Sequence, residues 1–287
     1  MASQGICFSP FQTGLLTGWG LFSTLRIYAG VPFALEEHWR RLSIDGERLH
    51  VDLSGLWPEV EAGFQALVEH NQAQEAVARV YCIRNRGGFL DTPNPRATDL
   101  LMLTRELHRW GASARLRLQP HGRHAQAPLA GTKTLTWAHN LVLVEEANAA
   151  GYDDVLLLNE RGEVAECTSA NVFAVRGGVM QTPPLDSGAL PGVSRKVLLE
   201  SGSRYGLRVE EKTLRPEDLW EAEEVFITSS TREVQAVAAI GERELRQGPW
   251  TGRAAAAFRQ VVQEYVAAHK NAAPATSGSA QREVASH

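Results

Sequence analysis

The spacing of hydrophobic and polar positions along the chain predicts a mixture of helices and strands. Val60, Phe64, Leu67 and Val68 recur at helical spacing behind Pro58, which is typical of a helix with proline in its first turn. Short runs of apolar and β-branched residues between turn residues predict strands. The predicted helices span 36–49, 57–70, 137–150, 194–205 and a short segment from 216, and the predicted strands span 21–28, 76–84, 99–104, 154–159, 171–175, 207–214 and 225–228.

These elements follow one another without a strict strand–helix–strand rhythm, so the sequence predicts an α+β fold in two unequal domains. We expect a smaller N-terminal α+β domain over 1–107 and a larger C-terminal domain over 128–270. The stretch 108–127 lacks clear periodicity and contains proline and glycine, which predicts a linker region. Residues 271–287 are rich in Ala, Ser and Gly and are predicted to be a disordered tail.

Composition narrows the class of protein. A formal net charge of -4 over 287 residues gives no electrostatic reason to expect binding to nucleic acid or to an acidic membrane surface. The chain contains no apolar run near the length of a membrane span, and its first residues lack the pattern of a signal peptide. Cys7, Cys82 and Cys167 are scattered without CxxC spacing, which argues against a disulfide framework and a zinc site. We therefore expect a cytoplasmic protein without a metal.

Lys133 and Glu166 carry the strongest chemical signal. Lys133 lies in the segment from Gly131 to Asn140, and Glu166 lies in the segment from Glu163 to Phe173. A lysine that can bind an aldehyde covalently and a carboxylate that can keep a ring nitrogen protonated are what pyridoxal 5'-phosphate (PLP) requires of a protein. Taken alone, each residue would be an ordinary charged side chain, so the flanking patterns decide the interpretation.

Several segments together predict a site for a phosphate group. Leu190–Arg195 is a turn that enters a helix with Ser194 near its start, so free backbone N–H groups and the helix dipole would attract an anion. Thr228–Thr231 offers hydroxyls and further amides after a short apolar strand. Arg41 could supply a bidentate guanidinium group. Separately, these features are also typical of a helix cap, a loop and a surface arginine.

One glycine-rich segment does not indicate a dinucleotide site. Gly18-Trp-Gly-Leu-Phe-Ser23 begins like the nicotinamide or flavin fingerprint, but its third glycine is missing. The residues that follow are predicted to form a strand, whereas the fingerprint must open a helix.

Taken in order, six segments resemble the class IV aminotransferase family, also called the fold type IV PLP enzymes. The resemblance covers about 17–240 and rests on Gly18–Arg26, Glu37–Leu42, Lys133–Trp137, Val164–Phe173, Leu190–Arg195 and Glu224–Val234. It implies the two-domain α+β architecture of that family, with the active site between the domains. It also implies PLP as the cofactor and a homodimer in which a loop of one subunit closes the other subunit's site.

The resemblance implies a role for each matching residue. Lys133 would bind PLP covalently and act as the catalytic acid–base, and Glu166 would pair with the pyridine nitrogen of the cofactor. The phosphate would be held by Arg41 and by four residues of the two turns, namely Val193, Ser194, Ser230 and, more weakly, Thr231.

Substrate residues are less well determined. Phe22 and Trp137 match positions where relatives often carry an aromatic side chain, and either could also be a core aromatic. Arg84 approximates an arginine of branched-chain transaminases. Strand alternation places Arg79 and Arg84 on opposite faces, and we expect Arg84 at the strand end to face the substrate, although a solvent-facing arginine fits the pattern almost as well.

The expected activity is transfer of an amino group between a small amino acid, of L-branched-chain type, and 2-oxoglutarate. An aminodeoxychorismate lyase that releases pyruvate is the alternative, because Ser23-Thr24 resembles a hydroxyl pair of that enzyme. A D-amino acid or amine transaminase also stays open, although 87–93 lacks the arginine and histidine of D-amino acid transaminases. Trp19 and Ser23 replace acidic residues common in the family. A protein that only stores PLP would need the lysine and phosphate site alone.

Overall fold

Residues 12–86 and 96–271 are described by the structure, a computed structural model. Their N-terminal part is built on a four-stranded antiparallel sheet with strand order β2-β1-β3-β4. The strands span Gly20–Tyr28 (β1), Val31–Pro32 (β2), Glu75–Arg84 (β3) and Thr98–Arg105 (β4). Three helices accompany them, at Thr13–Thr17 (α1), Leu35–Leu49 (α2) and Trp57–His70 (α3).

The two faces of β1 have different surroundings because side chains alternate along a strand. Leu21, Leu25 and Ile27 lie on one face, in a buried apolar cluster that also contains Leu42 of α2 and Phe64 of α3. The opposite face carries the intervening residues and borders the cavity described below. The register of β1 therefore decides which of its side chains can meet a ligand.

The C-terminal part contains a larger mixed sheet of order β10-β9-β8-β11-β12-β5-β6-β7, with β13 paired to β12. Its strands are Ser113–Gln119 (β5), Asp154–Leu158 (β6), Val164–Cys167 (β7), Asn171–Arg176 (β8), Val179–Thr182 (β9), Arg208–Glu211 (β10), Glu224–Ser229 (β11), Glu233–Ile240 (β12) and Arg243–Glu244 (β13). The helices are Ala138–Ala149 (α4), Val193–Ser201 (α5), Pro216–Trp220 (α6) and Trp250–Asn271 (α7), with 3-10 turns at Leu185–Ser187 and Gly202–Tyr205.

Apolar clusters cover the larger sheet and join it to the N-terminal part. Phe173 and Phe226 stack with ring centroids 4.9 Å apart in the cluster that contains Leu198 of α5 and Phe258 of α7. Phe33, which follows β2, contributes to the same cluster with its ring centroid 5.8 Å from that of Phe258. Burial of such aromatic side chains fixes the two sheets relative to each other.

A second junction lies where β1 meets the segment that carries Lys133. The backbone N–H of Leu135 donates to Gly20 O at 2.9 Å, and the N–H of Phe22 donates to Lys133 O at 3.2 Å. A side chain at Gly20 would lie 2.6 Å from both Cys82 O and Leu135 Cδ1, so this close approach requires glycine. The cavity described below lies between the two parts of the chain beside this junction.

Most predicted elements are confirmed, and the α+β class is confirmed with them. The stretch 108–127 was expected to be a linker without regular structure. It contains β5 instead, which pairs with β6 and β12 inside the larger sheet. The predicted helix 194–205 ends as a 3-10 turn, and the predicted strand 207–214 is shorter. The expected tail lies outside the described residues except for Asn271, which ends α7.

Several elements were not predicted from the sequence, among them β9, β12 and α7. Within the described ranges, no helix is long and apolar enough to cross a membrane. The same ranges contain no group of three or more His, Cys, Asp or Glu residues placed to hold a metal ion. Cys82 and Cys167 are buried free thiols, and Cys7 lies outside the described residues.

Candidate active site

A cavity of about 540 Å³ lies between the two parts of the chain, a volume within the range of small-molecule sites. Residues of β1, α2 and β3 line one side, and residues of β7, α5 and the end of β11 line the other. Nine of the ten residues predicted from the sequence line it: Phe22, Arg41, Lys133, Trp137, Glu166, Val193, Ser194, Ser230 and Thr231.

The backbone of Lys133 is fixed by hydrogen bonds at its N–H and its carbonyl group, and its side-chain amine lies over an aromatic ring. Its N–H donates to Asp45 Oδ2 of α2 at 3.1 Å, and its carbonyl accepts from Phe22. Nζ lies 4.7 Å from the centroid of the Phe22 ring and 5.9 Å from that of Trp137. Burial of the amine and the nearby charge of Arg41 lower the pKa of Lys133 to about 7. A substantial fraction of the amine is therefore neutral, and nucleophilic, near neutral pH.

Glu166 of β7 is held by two N–H donors. Its Oε1 accepts from Arg123 Nε at 3.0 Å, and its Oε2 accepts from the backbone N–H of Leu190 at 3.0 Å. Arg123 in turn donates to Asn140 Oδ1 at 3.0 Å. These contacts fix the orientation of the carboxylate, and its remaining lone pairs can accept a further hydrogen bond from a ligand. Sequence reasoning missed Arg123 because it lies in a stretch without periodicity.

Arg41 of α2 reaches the cavity from a buried position. Its Nη2 donates to Ser23 Oγ at 2.7 Å, and Ser23 Oγ lies 2.8 Å from His38 Nδ1. Arginine has no acceptor atom, so Ser23 accepts from Arg41 and donates its own proton to His38 Nδ1. Burial and the charge of Arg41 lower the pKa of His38 well below its usual value, as this arrangement requires. The pKa of Arg41 itself is lowered to about 10 by burial, which leaves it charged.

The structure separates the two residues of the hydroxyl pair, because Ser23 does not line the cavity. Ser23 is fully buried on the core face of β1 and holds Arg41 from behind, whereas Thr24 lines the cavity. Strand alternation explains the difference, since adjacent residues of β1 point to opposite faces. Only one member of the predicted hydroxyl pair can therefore face a ligand.

The start of α5 and the turn after β11 form an anion cup. No side chain caps α5, so the N–H groups of its first turn, which begins at Val193, lack a side-chain acceptor. A side chain at the preceding Gly192 would lie 2.0 Å from Asn171 Oδ1, so glycine lets the chain approach this closely. Thr228 Oγ1 is buried without a hydrogen-bond partner among the described residues. The cup therefore offers donors that a phosphate group could satisfy.

A buried ion pair supports this cup from behind. Arg232 follows the turn 228–231 and donates to Asp154 Oδ2 at 3.0 Å, with both side chains at least 98% buried. Its guanidinium carbon lies 3.6 Å from the centroid of the Trp110 ring. Since removing one partner of a buried ion pair is strongly destabilising, this contact is expected to fix the turn in place.

Two aromatic side chains, Phe22 and Trp137, form a wall beside the Lys133 amine, and Tyr81 stacks on Phe22. The ring centroids of Phe22 and Tyr81 are 5.9 Å apart, and those of Phe22 and Trp137 are also 5.9 Å apart. Phe22 and Trp137 were predicted, and Tyr81 joins them because it lies opposite Phe22 in the β1–β3 register.

Arg84 is the predicted site residue that the structure places elsewhere. Its guanidinium carbon lies 4.2 Å from the centroid of the Trp19 ring, and its Nε donates to Arg86 O. Arg79, on the opposite face of β3, lines the cavity instead. Strand alternation places Arg79 and Arg84 on opposite faces, and the cavity borders the face that carries Arg79, so the expectation for Arg84 was wrong.

The sequence model of the family described as amino-transferase class IV matches residues 20–240, most of the chain and all of the segments that form the cavity. The chain belongs to the class IV aminotransferase family. Enzymes of this family depend on PLP. A putative branched-chain-amino-acid aminotransferase of Methanocaldococcus jannaschii is 29% identical over 239 residues, covering 82% of this chain and 83% of that protein.

Other relatives have different activities in their names. D-alanine aminotransferase of Bacillus licheniformis is 27% identical over 254 residues, covering 82% of this chain and 83% of that protein. Aminodeoxychorismate lyase of Bacillus subtilis is 27% identical over 270 residues, covering 90% and 89%. The family is therefore clear, and the substrate is not decided by similarity.

Solved structures share the fold. A putative 4-amino-4-deoxychorismate lyase from Legionella pneumophila superposes with a TM-score of 0.82 at 21% identity, covering 90% of this chain and 96% of the other. A hypothetical aminotransferase from Mycobacterium tuberculosis, with bound alpha-ketoglutarate and PMP, gives a TM-score of 0.82 at 20% identity, covering 91% and 96%.

The residues of the cavity fit PLP. The phosphate of the cofactor needs several N–H and O–H donors, and the cup provides the first turn of α5, the unpartnered hydroxyl of Thr228 and the guanidinium of Arg41, whose Nε is also buried without a partner among the described residues. The aldehyde of the cofactor needs a neutral amine, which the lowered pKa of Lys133 provides. Glu166 offers the carboxylate for the ring nitrogen.

Proposed function

We propose that this chain is a PLP-dependent transaminase that moves an amino group between a small amino acid, of L-branched-chain type, and a 2-oxo acid such as 2-oxoglutarate. The observation that carries the proposal is the amine of Lys133, which lies beside an aromatic wall in a cavity that also holds an anion cup and a fixed carboxylate. Membership of the class IV aminotransferase family supports amino-group transfer as the reaction.

Each residue has a role that follows from its position. Bound PLP supplies the electron sink that acidifies the Cα–H bond of an attached amino acid. Lys133 would hold the cofactor at its aldehyde. Once its Nζ is free and neutral, it would take the proton from the substrate Cα and deliver it to carbon C4′ of the cofactor. Glu166 would keep the ring nitrogen protonated. Arg41, Val193, Ser194, Ser230 and Thr231 would hold the phosphate.

The aromatic wall supports an apolar substrate side chain. Phe22 and Trp137 present ring surfaces near the Lys133 amine, where the substrate Cα would react. Burying an aliphatic side chain against such rings is favourable, at about 25 cal/mol per Å² of apolar surface. The similarity to a putative branched-chain-amino-acid aminotransferase agrees with this preference.

An aminodeoxychorismate lyase is the second candidate function. The relative from Bacillus subtilis and the hydroxyl of Thr24 in the cavity favour it, while the buried position of Ser23 weakens the part that rested on a hydroxyl pair. A D-amino acid or amine transaminase is a further alternative, for which similarity to D-alanine aminotransferase is the support. Lyase and transaminase would use the same lysine and cofactor and differ in their products.

A single-turnover experiment separates these functions. The PLP-loaded protein is mixed with one equivalent of L-leucine, L-isoleucine or L-valine, with D-leucine, with D-alanine, or with an amine that lacks a carboxylate. We expect the L-branched-chain acids to convert the cofactor to pyridoxamine phosphate, and 2-oxoglutarate to restore PLP. Release of pyruvate from aminodeoxychorismate, with no conversion by any amino acid, would establish the lyase instead. A cofactor that no donor changes would indicate a PLP-storing protein.

The proposal extends to the oligomeric state of the protein and to its location in the cell. We infer a homodimer acting in the cytoplasm, with a loop of the second subunit closing the cavity, from the resemblance of the chain to its family. Exposed apolar side chains of α4, Leu141 and Val142, support an interface with a second copy.

A further inference from the structure

Three arginines of the described residues line the cavity. One of them is neutralised by an ion pair, and a second is fixed by hydrogen bonds beside the anion cup. Arg123 forms an ion pair with Glu166. Arg41 is held by Ser23 and, at 3.4 Å, by the carbonyl of Pro191, beside the anion cup. The third, Arg79, has no carboxylate partner among the described residues, and its Nε is buried without any hydrogen-bond partner there.

Arg79 is positioned by the strand and by one hydroxyl. It lies on β3 directly opposite Thr24, on the face of the sheet that borders the cavity, and its Nη1 donates to the hydroxyl of Tyr81 at 3.2 Å. Phe22, over whose ring the Lys133 amine lies, is two residues from Thr24. Two residues along a strand correspond to about 7 Å, a distance comparable to the length of a small amino acid.

The electrostatics of this arrangement favour an anion at Arg79. Its charge helps to lower the pKa of the Lys133 amine, so the two cationic groups are close enough to interact unfavourably. A guanidinium group has five N–H donors in a planar fork that matches a carboxylate, and Tyr81 uses only one of them. A partly buried cation with unused donors, in a cavity where a substrate reacts, is a recognition group for a carboxylate.

We propose that Arg79 binds a carboxylate of the substrate and thereby selects amino acids and 2-oxo acids over plain amines. This inference rests on the proposed function for the identity of the substrate. It replaces the expectation that Arg84 has this role. The carboxylate is either the α-carboxylate shared by all amino-acid substrates or the distal carboxylate of a dicarboxylic partner such as 2-oxoglutarate.

Substrate analogues that cannot react test the proposal by binding alone. 4-Methylpentanoate and glutarate are leucine and glutamate without the amino group, and 4-methylpentanamide is a neutral counterpart of the first. Their affinities are measured by calorimetry on the PLP-loaded wild-type protein, on Arg79→Gln and on the matched control Arg84→Gln, which changes the other arginine of the same strand. Arg79→Lys tests whether charge without the planar fork restores part of the affinity.

We expect Arg79→Gln to weaken binding of carboxylates about ten- to a hundredfold, the range of a charge-assisted contact, and to leave 4-methylpentanamide unaffected. If Arg79→Gln binds both acids more weakly, Arg79 binds the α-carboxylate. If it binds only glutarate more weakly, Arg79 binds the distal carboxylate. Arg84→Gln should change neither affinity.

Unchanged affinity of Arg79→Gln for both acids would overturn the proposal, as would an equal loss in Arg84→Gln or no saturable binding of either acid to the wild-type protein. Circular dichroism of each variant checks that the fold is intact. Since binding is measured without turnover, failure of the transaminase function would appear in the single-turnover experiment and not here.

Discussion

Replacing Lys133 by alanine should leave the fold intact and lower turnover by at least about a thousandfold, the scale on which loss of a covalent catalytic group acts. No other lysine lines the cavity in the described part of the chain. The fold should tolerate the change, because a buried amine with a lowered pKa contributes little favourable energy to the folded state. Single-turnover kinetics with saturating PLP and thermal unfolding of the variant check the two parts of this expectation.

The control for this prediction is Lys212→Ala. Lys212 is exposed after β10 and does not line the cavity, so its loss should leave turnover unchanged. Near wild-type transamination by Lys133→Ala would contradict the assigned role.

Replacing Arg41 by alanine should weaken PLP binding about ten- to a hundredfold, because a charge-assisted contact to phosphate is worth roughly 1.5 to 3 kcal/mol. The loss should be specific for the phosphate group. Titration of the apoprotein with PLP and, separately, with pyridoxal, which lacks the phosphate, measures this difference, and we expect pyridoxal to bind both proteins equally.

Arg40→Ala is the matched control. Arg40 is the next residue of α2, but its side chain is 60% exposed and forms an ion pair with Glu37 one turn away, so its loss should not affect PLP binding. Equal PLP affinity for Arg41→Ala and the wild-type protein would remove Arg41 from the phosphate site. A loss of the same size for pyridoxal would show that Arg41 acts on the fold of the cavity and not on the phosphate.

Local patterns were sufficient to predict much of the fold. The helices α2 and α3 begin and end within one residue of their predicted bounds, because their apolar spacing and Pro58 act within a few turns of chain. The strand β5 was missed although apolar residues at 114, 116 and 118 alternate with two arginines, which is the spacing of a half-buried strand. The helix α7 was not predicted, although Phe258, Val262 and Tyr265 recur at helical spacing and pack in the cluster that contains Phe173.

The site shows the same division. Lys133, Glu166 and the two turns of the cup belong to continuous motifs, and the structure brings them to one cavity as expected. Arg79 was misjudged because the face of β3 that borders the cavity is set by pairing with β1, which the β3 sequence does not contain. The hydrogen-bonded series from His38 through Ser23 to Arg41 joins α2 to β1 in the buried interior, and only the structure shows it.

The proposed function depends above all on PLP being bound in this cavity through the amine of Lys133. Borohydride reduction of the PLP-loaded protein, followed by peptide mapping with mass spectrometry, tests it most directly, because reduction fixes the cofactor to the amine that holds it. The chain contains only four lysines, Lys133, Lys196, Lys212 and Lys270, so each can be examined individually. We expect the cofactor on Lys133 alone, and a cofactor fixed to Lys196, Lys212 or Lys270 with Lys133 unmodified would contradict the account.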